Sequence, residues 1–217
     1  MNDILSSLYG IRIPDGLTDA QLAALQTRFG RLPDALMHFY KTAGHLPQVM
    51  CVQDTWLTPA HYDAWPWLDQ LDGPVLMNEN QGVCQALIRS CDLGKADPPV
   101  CVTQDMGRSY QPCGQRVSAF IRAMLTYQAV FQMPHTPDAM FWLTDAQAGY
   151  IGQTLHCHPC KLHHWIGQKE IQLFSLAPDS ALYLMGSAGE WQMWYGARSR
   201  ESFSQLEQCL DGIGEEM

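Results

Sequence analysis

The chain has 217 residues, of which 47% are hydrophobic and 16% are charged. A chain of this length buries roughly 70% of the surface that its unfolded form exposes, and this composition excludes a wholly disordered or collagen-like protein. Thirteen Lys and Arg against 22 Asp and Glu give a formal charge of −9, which opposes unspecific attraction to phosphate backbones. We therefore expect a globular protein that does not bind nucleic acid directly.

The start of the chain and its cysteines indicate a cytoplasmic protein. The first five residues lack a basic segment followed by an apolar run, and no stretch of 18 uncharged apolar residues occurs in the sequence. Eight cysteines would suit a small disulfide-rich secreted domain, but this chain is larger and carries no export signal. We expect mostly reduced thiols and no contact with membranes.

The first half of the chain predicts two helices and then an irregular aromatic segment. Residues 18–21 (TDAQ) form a capping box before a helix that stops at Gly30. A second helix is predicted to begin near Pro33 and to end at Gly44. Residues 51–71 mix Trp, Tyr and Pro without a clear period, so we expect a loop-rich segment there.

The middle of the chain predicts strands followed by a helix. Apolar runs on both sides of a polar turn at residues 78–82 indicate strands at 75–77 and 83–88, and residues 100–102 indicate a third. Apolar side chains then recur with helical spacing over residues 117–130. Two prolines close that segment.

The last third of the chain predicts a helix, three strands and a final helix. A second capping box at residues 144–147 (TDAQ) begins a weaker helix. Three apolar runs predict strands at 171–174, 181–185 and 191–195, and Phe203, Leu206 and Leu210 form a last helical stripe. We expect a frayed acidic tail from Gly212 onward. No low-complexity linker divides the chain, so we predict one α+β domain over residues 1–217. The sequence is also compatible with two lobes within that domain.

The densest group of reactive side chains lies at residues 156–164, which contain four His and two Cys. All of these are good zinc ligands. Cys157 and Cys160 have the spacing of a zinc knuckle, which His163 or His164 would complete together with one remote ligand. The candidates for the remote ligand are Cys113 and His135. No second CxxC or HxxxH pair occurs in the sequence, so a polar loop that leads into a strand is the competing interpretation.

The same segment also has the form of a thiol-redox motif, in which the first thiol has a lowered pKa. Redox proteins of the thioredoxin type place this motif after a strand and at the start of a helix, whereas here a weak helix precedes it. Motifs typical of hydrolases, phosphate-binding loops, dinucleotide-binding turns and zinc proteases do not occur in the sequence. We therefore predict no catalytic residues, no enzymatic activity and no cofactor, and keep a zinc-binding or thiol-redox protein as the alternative.

Several segments of the first half resemble the SUKH superfamily, which includes fungal cell-wall regulators and bacterial immunity proteins that neutralise polymorphic toxins. The resemblance is strongest over residues 18–130 and fades afterwards. The His/Cys cluster at 156–164 is a departure from the family. The segments that carry the resemblance are, in order, GRLPDALMHFY at 30–40, TAG at 42–44, NENQGVC at 78–84 and DPPV at 97–100.

The resemblance implies a SUKH-like fold, with a central twisted, mainly antiparallel sheet flanked by helices. It also implies a binding scaffold without catalysis, whose partner in the immunity proteins is a toxin domain. Many such toxin domains act on nucleic acid and are basic. An acidic inhibitor would therefore associate faster with its partner, because opposite potentials steer the encounter.

The predicted partner-binding surface lies at residues 56–68, which hold three Trp and one Tyr within 13 residues. Trp and Tyr are enriched at binding hot spots, and carboxylates beside them would meet Lys or Arg of a partner. The competing interpretation is that these aromatic side chains form part of the core. The polar turn at 78–81 is expected to brace the sheet instead. The predicted binding residues are Trp56, Tyr62, Asp63, Trp65 and Trp67.

Overall fold

The computed structural model describes residues 1–167 and 169–216. Its α-helices are α1 (Asn2–Leu8), α2 (Asp19–Phe29), α3 (Asp34–Ala43), α4 (Pro47–Met50), α5 (Pro59–Ala64), α6 (Val117–Val130), α7 (Asp145–Thr154) and α8 (Arg200–Cys209). Two short 3₁₀ helices lie at Pro66–Gln70 and Ser90–Asp92. Within the described ranges, none of the helices combines the length and the apolar character needed to cross a membrane.

The strands form two antiparallel sheets. They are β1 (Thr55–Trp56), β2 (Val75–Asn78), β3 (Gln85–Leu87), β4 (Pro99–Thr103), β5 (Gln111–Arg116), β6 (Phe141–Leu143), β7 (His156–Cys157), β8 (Leu162–His163), β9 (Glu170–Ser175), β10 (Ser180–Ser187), β11 (Glu190–Ala197) and β12 (Glu215–Glu216). The smaller sheet has the order β1-β2-β3-β4-β5, and the larger has the order β12-β6-β11-β10-β9-β7, with β8 also paired to β9. The predicted α+β class and its mainly antiparallel pairing are confirmed, although there are two sheets where one central sheet was expected.

The chain divides into two compact units, each built from segments that are distant in sequence. The small-sheet unit comprises Ile13–Ile121 and His163–Gly167. The large-sheet unit comprises Met1–Arg12, Arg122–Leu162 and the described part of Gln168–Met217. The N-terminal helix α1 therefore belongs with the second half of the chain.

The predicted helices at the start of the small-sheet unit are confirmed. The Thr18 hydroxyl accepts a hydrogen bond from the Gln21 backbone N–H (3.3 Å), and the Gln21 side-chain oxygen accepts one from the Thr18 N–H (2.9 Å). This reciprocal cap satisfies two of the donors that the start of α2 leaves without helical partners. In α3 the buried side chains include Leu36, Phe39 and Tyr40, which lie three or four residues apart on one face.

The polar turn between β2 and β3 braces the small sheet, as predicted. The buried Glu79 carboxylate accepts hydrogen bonds from the backbone N–H groups of Gln81 (2.9 Å) and Val83 (3.4 Å). The Gln85 side chain donates to the Asn78 side-chain oxygen (3.0 Å) and to a backbone carbonyl of the turn (2.9 Å). These side chains fix the register in which β2 and β3 pair.

The large-sheet unit contains the three strands and the final helix predicted near the C-terminus. On β10, Tyr183 pairs with Trp194 of β11 and with Leu173 of β9, and its ring lies 4.9 Å from that of Tyr127 on α6. The opposite face of the sheet forms an apolar core with α7 and α8. That core includes Leu182, Leu184, Met193, Ile151 and Leu206.

The structure also corrects the expected C-terminal tail. Glu215 and Glu216 are not frayed, because they pair as β12 with Trp142 and Phe141 of β6. Gly214 precedes this strand with a φ of 86°, a left-handed conformation that glycine adopts without a steric penalty. The helix α1 and the strands β5 and β6 were not predicted.

A buried carboxylate organises the small-sheet unit. Asp54 is 2% exposed and accepts hydrogen bonds from the Trp165 indole N–H (3.0 Å) and from the Asn80 backbone N–H (3.2 Å). Trp165 is fully buried and packs edge-on against Phe120, with ring centroids 6.4 Å apart. The segment His163–Gly167 is therefore held in this unit by a buried hydrogen bond as well as by apolar packing.

Replacing the donor of this hydrogen bond tests its contribution. We expect Trp165→Phe to lower the free energy of unfolding by about 2 kcal/mol or more, because the buried Asp54 carboxylate loses a hydrogen-bond donor. Urea unfolding followed by far-UV circular dichroism measures the loss. Trp142→Phe is the matched control, since Trp142 is 42% exposed and should change the free energy of unfolding by less than about 0.5 kcal/mol. Equal effects of the two variants would contradict this role of Trp165.

Candidate functional site

The structure separates the predicted binding residues into buried and exposed members. Trp56 has no exposed surface, and its ring packs against those of Phe39 (4.5 Å) and Phe120 (6.0 Å). Tyr62 is 5% exposed, and its hydroxyl donates to the Val75 carbonyl (2.9 Å) and accepts from the Val75 N–H (2.8 Å). The prediction that Trp56 and Tyr62 contact a partner is therefore wrong, since both side chains belong to the core.

The other three predicted residues lie together at the surface of the small-sheet unit. The indole rings of Trp65 and Trp67 stack, with centroids 6.1 Å apart and planes 16° from parallel, and both side chains are half-buried. Neither indole N–H donates a hydrogen bond to any described residue. Asp63 and Pro66 beside them are exposed. We call Asp63, Trp65, Pro66 and Trp67 the tryptophan surface.

Two short helices position the tryptophan surface. Helix α5 ends where the Trp65 N–H donates to the His61 carbonyl (2.7 Å), and Pro66 then begins the 3₁₀ helix. Leu68 anchors that 3₁₀ helix in the core, with 2% of its surface exposed. The two indoles are therefore held on either side of Pro66 by a rigid, anchored turn.

His61 also belongs to this site, although the sequence analysis did not select it. Its Nδ1 interacts with the Thr58 backbone N–H (3.0 Å), and its ring lies 5.0 Å from that of Trp65. Partial burial lowers the pKa of His61, which favours the neutral ring at neutral pH. The sequence shows no helical period over this segment, so the spacing of His61 and Trp65 did not identify His61 as a site residue.

The carboxylates near the tryptophan surface differ in whether they form ion pairs within the chain. Asp69 forms an ion pair with Arg28, and Asp72 forms one with Arg89. The hydrogen bond from Arg89 lowers the pKa of Asp72. Asp63 has no ion-pair partner among the described residues. It is therefore the carboxylate of this region that is available to a cationic group of another molecule.

The His/Cys cluster is divided between the two units. Cys157 and Cys160 belong to the large-sheet unit, and His163 and His164 belong to the small-sheet unit. In residues 1–167 and 169–216, no three or more His, Cys, Asp or Glu side chains are placed so that they could hold a metal ion. The Cys157 thiol is exposed and contacts the His158 carbonyl (3.4 Å). Zinc binding and thiol-redox activity stay predictions.

Comparison with known proteins finds no match: no family model fits the chain, and no curated protein or solved structure is significantly similar to it. The resemblance to the SUKH superfamily therefore rests on the sequence segments at 30–44, 78–84 and 97–100. In the structure these segments supply α3, the braced turn between β2 and β3, and the start of β4.

The division of the tryptophans into core and surface predicts different stabilities. Trp56→Ala should lower the free energy of unfolding by about 3 to 5 kcal/mol, because it leaves a large cavity in the core. Trp65→Ala should cost only about 1 kcal/mol, because part of the indole is already exposed. Urea unfolding measures both values. A Trp65→Ala variant that loses as much stability as Trp56→Ala would show that Trp65 is also a core residue.

Burial also predicts which cysteines react. Burial raises the pKa of the Cys113 thiol to about 12 and raises that of Cys84 further, so both stay protonated and unreactive at pH 8. Cys51, Cys91 and Cys157 are exposed and should react first with an aromatic disulfide reagent in the native protein. Cys157→Ser should remove one equivalent from this fast phase, whereas Cys113→Ser should leave it unchanged. A Cys113→Ser variant that loses a fast equivalent would contradict the burial of Cys113.

Proposed function

We propose that the chain is a non-enzymatic protein-binding module of the SUKH type, which acts as an immunity protein against a toxin domain. The observation that carries this proposal is the stacked pair of partly exposed indoles, Trp65 and Trp67, on an anchored turn. The proposal assigns no catalytic residue, because the sequence lacks the catalytic motifs considered above. The expected compartment is the cytoplasm, where such a partner would act.

The tryptophan surface has the physical properties of a binding hot spot. Tryptophan offers a large contact area and loses little conformational entropy when it is immobilised, because it has only two rotatable side-chain bonds. Its indole N–H also donates a hydrogen bond when a partner supplies an acceptor. Both donors are available here, and stacking already limits the motion of the two rings. A partner would therefore gain contact area at a small entropic cost.

The negative charge of this chain favours a basic partner. The chain carries a formal charge of −9, and Asp63 adds an exposed carboxylate without an ion pair directly beside the indoles. A basic toxin domain would be steered toward such a surface by long-range attraction. The same partner would be held by short-range aromatic contacts, so that charge sets the association rate and the indoles set the lifetime of the complex.

The function is tested by toxicity rescue with a partner identified from the native host. The protein is used to capture the partner, the partner is expressed in a susceptible cell, and co-expression of this chain should restore growth. Capture followed by full rescue supports the proposal. A captured partner that is not toxic, or a toxin that the chain does not neutralise, would refute the immunity function.

The site is tested by single substitutions measured against the same purified partner. Trp65→Ala and Trp67→Ala should each weaken binding by at least about 30-fold, which corresponds to about 2 kcal/mol for a hot-spot residue. Tyr150→Ala is the control, because Tyr150 is a 49% exposed aromatic residue outside the tryptophan surface. A Trp65→Ala protein that melts normally and binds at full strength would show that another surface is used.

The role of charge is tested by reversing Asp63. Asp63→Lys should slow association with a basic partner and reduce its dependence on salt, while the dissociation rate changes little. Stopped-flow association measured at about 50 and about 500 mM NaCl, roughly one decade apart in ionic strength, separates the two effects. Asp138→Lys is a matched control, since Asp138 is exposed and, like Asp63, has no ion-pair partner among the described residues. Equal slowing by both variants would assign the effect to net charge alone.

A further inference from the structure

The large-sheet unit contains a polar cleft that the proposed function does not use. It encloses about 400 Å³ and is formed by α1, α6, the chain after β7, and the turn between β9 and β10. A smaller cavity of about 80 Å³ shares Ile4, Arg122, Thr126 and His158 with it. A concave site of this size with a few converging polar groups is typical of small-molecule binding.

Arg122 supplies a cation to the cleft wall. From α6, its guanidinium donates to the two carboxylate oxygens of Asp3 on α1, at 3.2 and 3.5 Å. Asp3 also accepts a hydrogen bond from the Met1 amine at 2.7 Å. A guanidinium has five N–H donors, so the contact with Asp3 leaves donors of Arg122 unused. The side chain of Arg122 is 48% exposed, which keeps these donors accessible.

His158 supplies a buried polar atom without a partner. Its Nε2 is inaccessible to solvent and has no hydrogen-bond partner among the described residues. The backbone holds this residue in place, because the His158 N–H donates to the Leu173 carbonyl (2.9 Å). A buried polar atom that stays unpaired is unfavourable. His158 is only partly buried and lines the cleft, so rotation of its ring would bring Nε2 to the cleft, where a hydrogen bond to a ligand atom would remove this penalty.

Hydroxyl groups complete the donor set. Ser7 and Ser175 line the cleft, and neither side chain has a hydrogen-bond partner among the described residues. Ser180 differs, because its hydroxyl already accepts from the N–H groups of Leu176 (3.1 Å) and Ala177 (2.8 Å). The available groups are therefore mainly donors around one guanidinium, which is the arrangement that carboxylates and phosphates require.

We propose that this cleft binds a small organic molecule through an oxyanion, a carboxylate or a phosphate, with Arg122 and His158 as its direct contacts. Asp3 is the negatively charged side chain among the residues that line the cleft. It acts as an internal competitor, because it occupies part of the guanidinium to which the ligand would bind. This role gives the two partners of one ion pair opposite effects on binding.

The test uses two simple oxyanions as probes of the full-length protein. Sodium phosphate and sodium acetate are titrated separately at constant ionic strength, with NaCl as the balancing salt, and the His158 ring nitrogens are observed by long-range ¹H–¹⁵N NMR. We expect a saturable shift of His158 Nε2 with at least one probe. The probe that saturates at the lower concentration identifies the oxyanion as phosphate or carboxylate.

Substitutions on the two sides of the ion pair give the decisive comparison. Arg122→Gln should weaken probe binding at least about tenfold, because it removes a charged hydrogen-bond donor. Asp3→Asn should tighten binding about threefold or more, because it removes the competing carboxylate. An ion pair with a merely structural role would make both variants weaker. Arg31→Gln is the control, since Arg31 is an exposed arginine paired with Asp34 outside this unit.

Each outcome decides the proposal. It is overturned when no His158 shift saturates, when Asp3→Asn binds no tighter than the wild type, or when Arg122→Gln binds as well as the wild type, which would mark adventitious binding. If circular dichroism shows that Arg122→Gln does not fold, His158→Phe replaces it, with binding followed through the Arg122 side-chain resonances. His158→Phe should also weaken binding several-fold, and unchanged binding would equally overturn the proposal.

Discussion

The hydrogen bond between the Trp165 indole and the Asp54 carboxylate is the constraint on which the small-sheet unit depends. A carboxylate that is 2% exposed is strongly unfavourable unless donors replace its lost water. Those donors come from positions 26 and 111 residues away along the chain. The braced turn and the segment His163–Gly167 both supply donors to Asp54, and this side chain therefore links parts of the unit that are distant in sequence.

The tryptophans differ both in burial and in what their indole N–H groups meet. The indole N–H of Trp165 meets a buried carboxylate, and that of Trp191 meets the Asp145 carboxylate at 2.8 Å. Trp65 and Trp67 have no such acceptor among the described residues and keep part of their surface exposed. Burial does not follow the acceptor alone, because Trp56 is fully buried although its indole N–H has no partner among the described residues. The stacked pair differs from Trp56 in keeping part of its surface exposed, where another molecule can contact it.

Local signals in the sequence predicted much of the fold, because they act over a few residues. The capping boxes at Thr18 and Thr144 and the helical spacing in α6 and α8 correctly indicated helices. The strands β9, β10 and β11 were recognisable as apolar runs between turns. In contrast, β5 contains Pro112 and Gly114, and β12 consists of two glutamates. Such strands form because a neighbouring strand offers backbone partners, not because their own residues favour an extended chain.

The candidate site was predictable only in part for the same reason. Composition selected the aromatic segment, but burial within it depends on side chains far away in sequence. Trp56 is enclosed by Phe39 and Phe120, whereas Trp65 and Trp67 lie at the surface on a turn that the buried Leu68 anchors. The cleft of the large-sheet unit was not predictable at all, because α1 joins α6 across more than a hundred residues.

The discontinuity of the small-sheet unit has a consequence for protein synthesis. Domains usually fold in order as the ribosome releases them, but here residues 13–121 are synthesised and emerge before the segment that contains Trp165 emerges. During that interval Asp54 lacks its indole donor, and the face of Phe120 that Trp165 covers stays open to solvent. Until Trp165 has emerged, the nascent small-sheet unit therefore exposes an acidic and partly apolar surface that the complete protein covers.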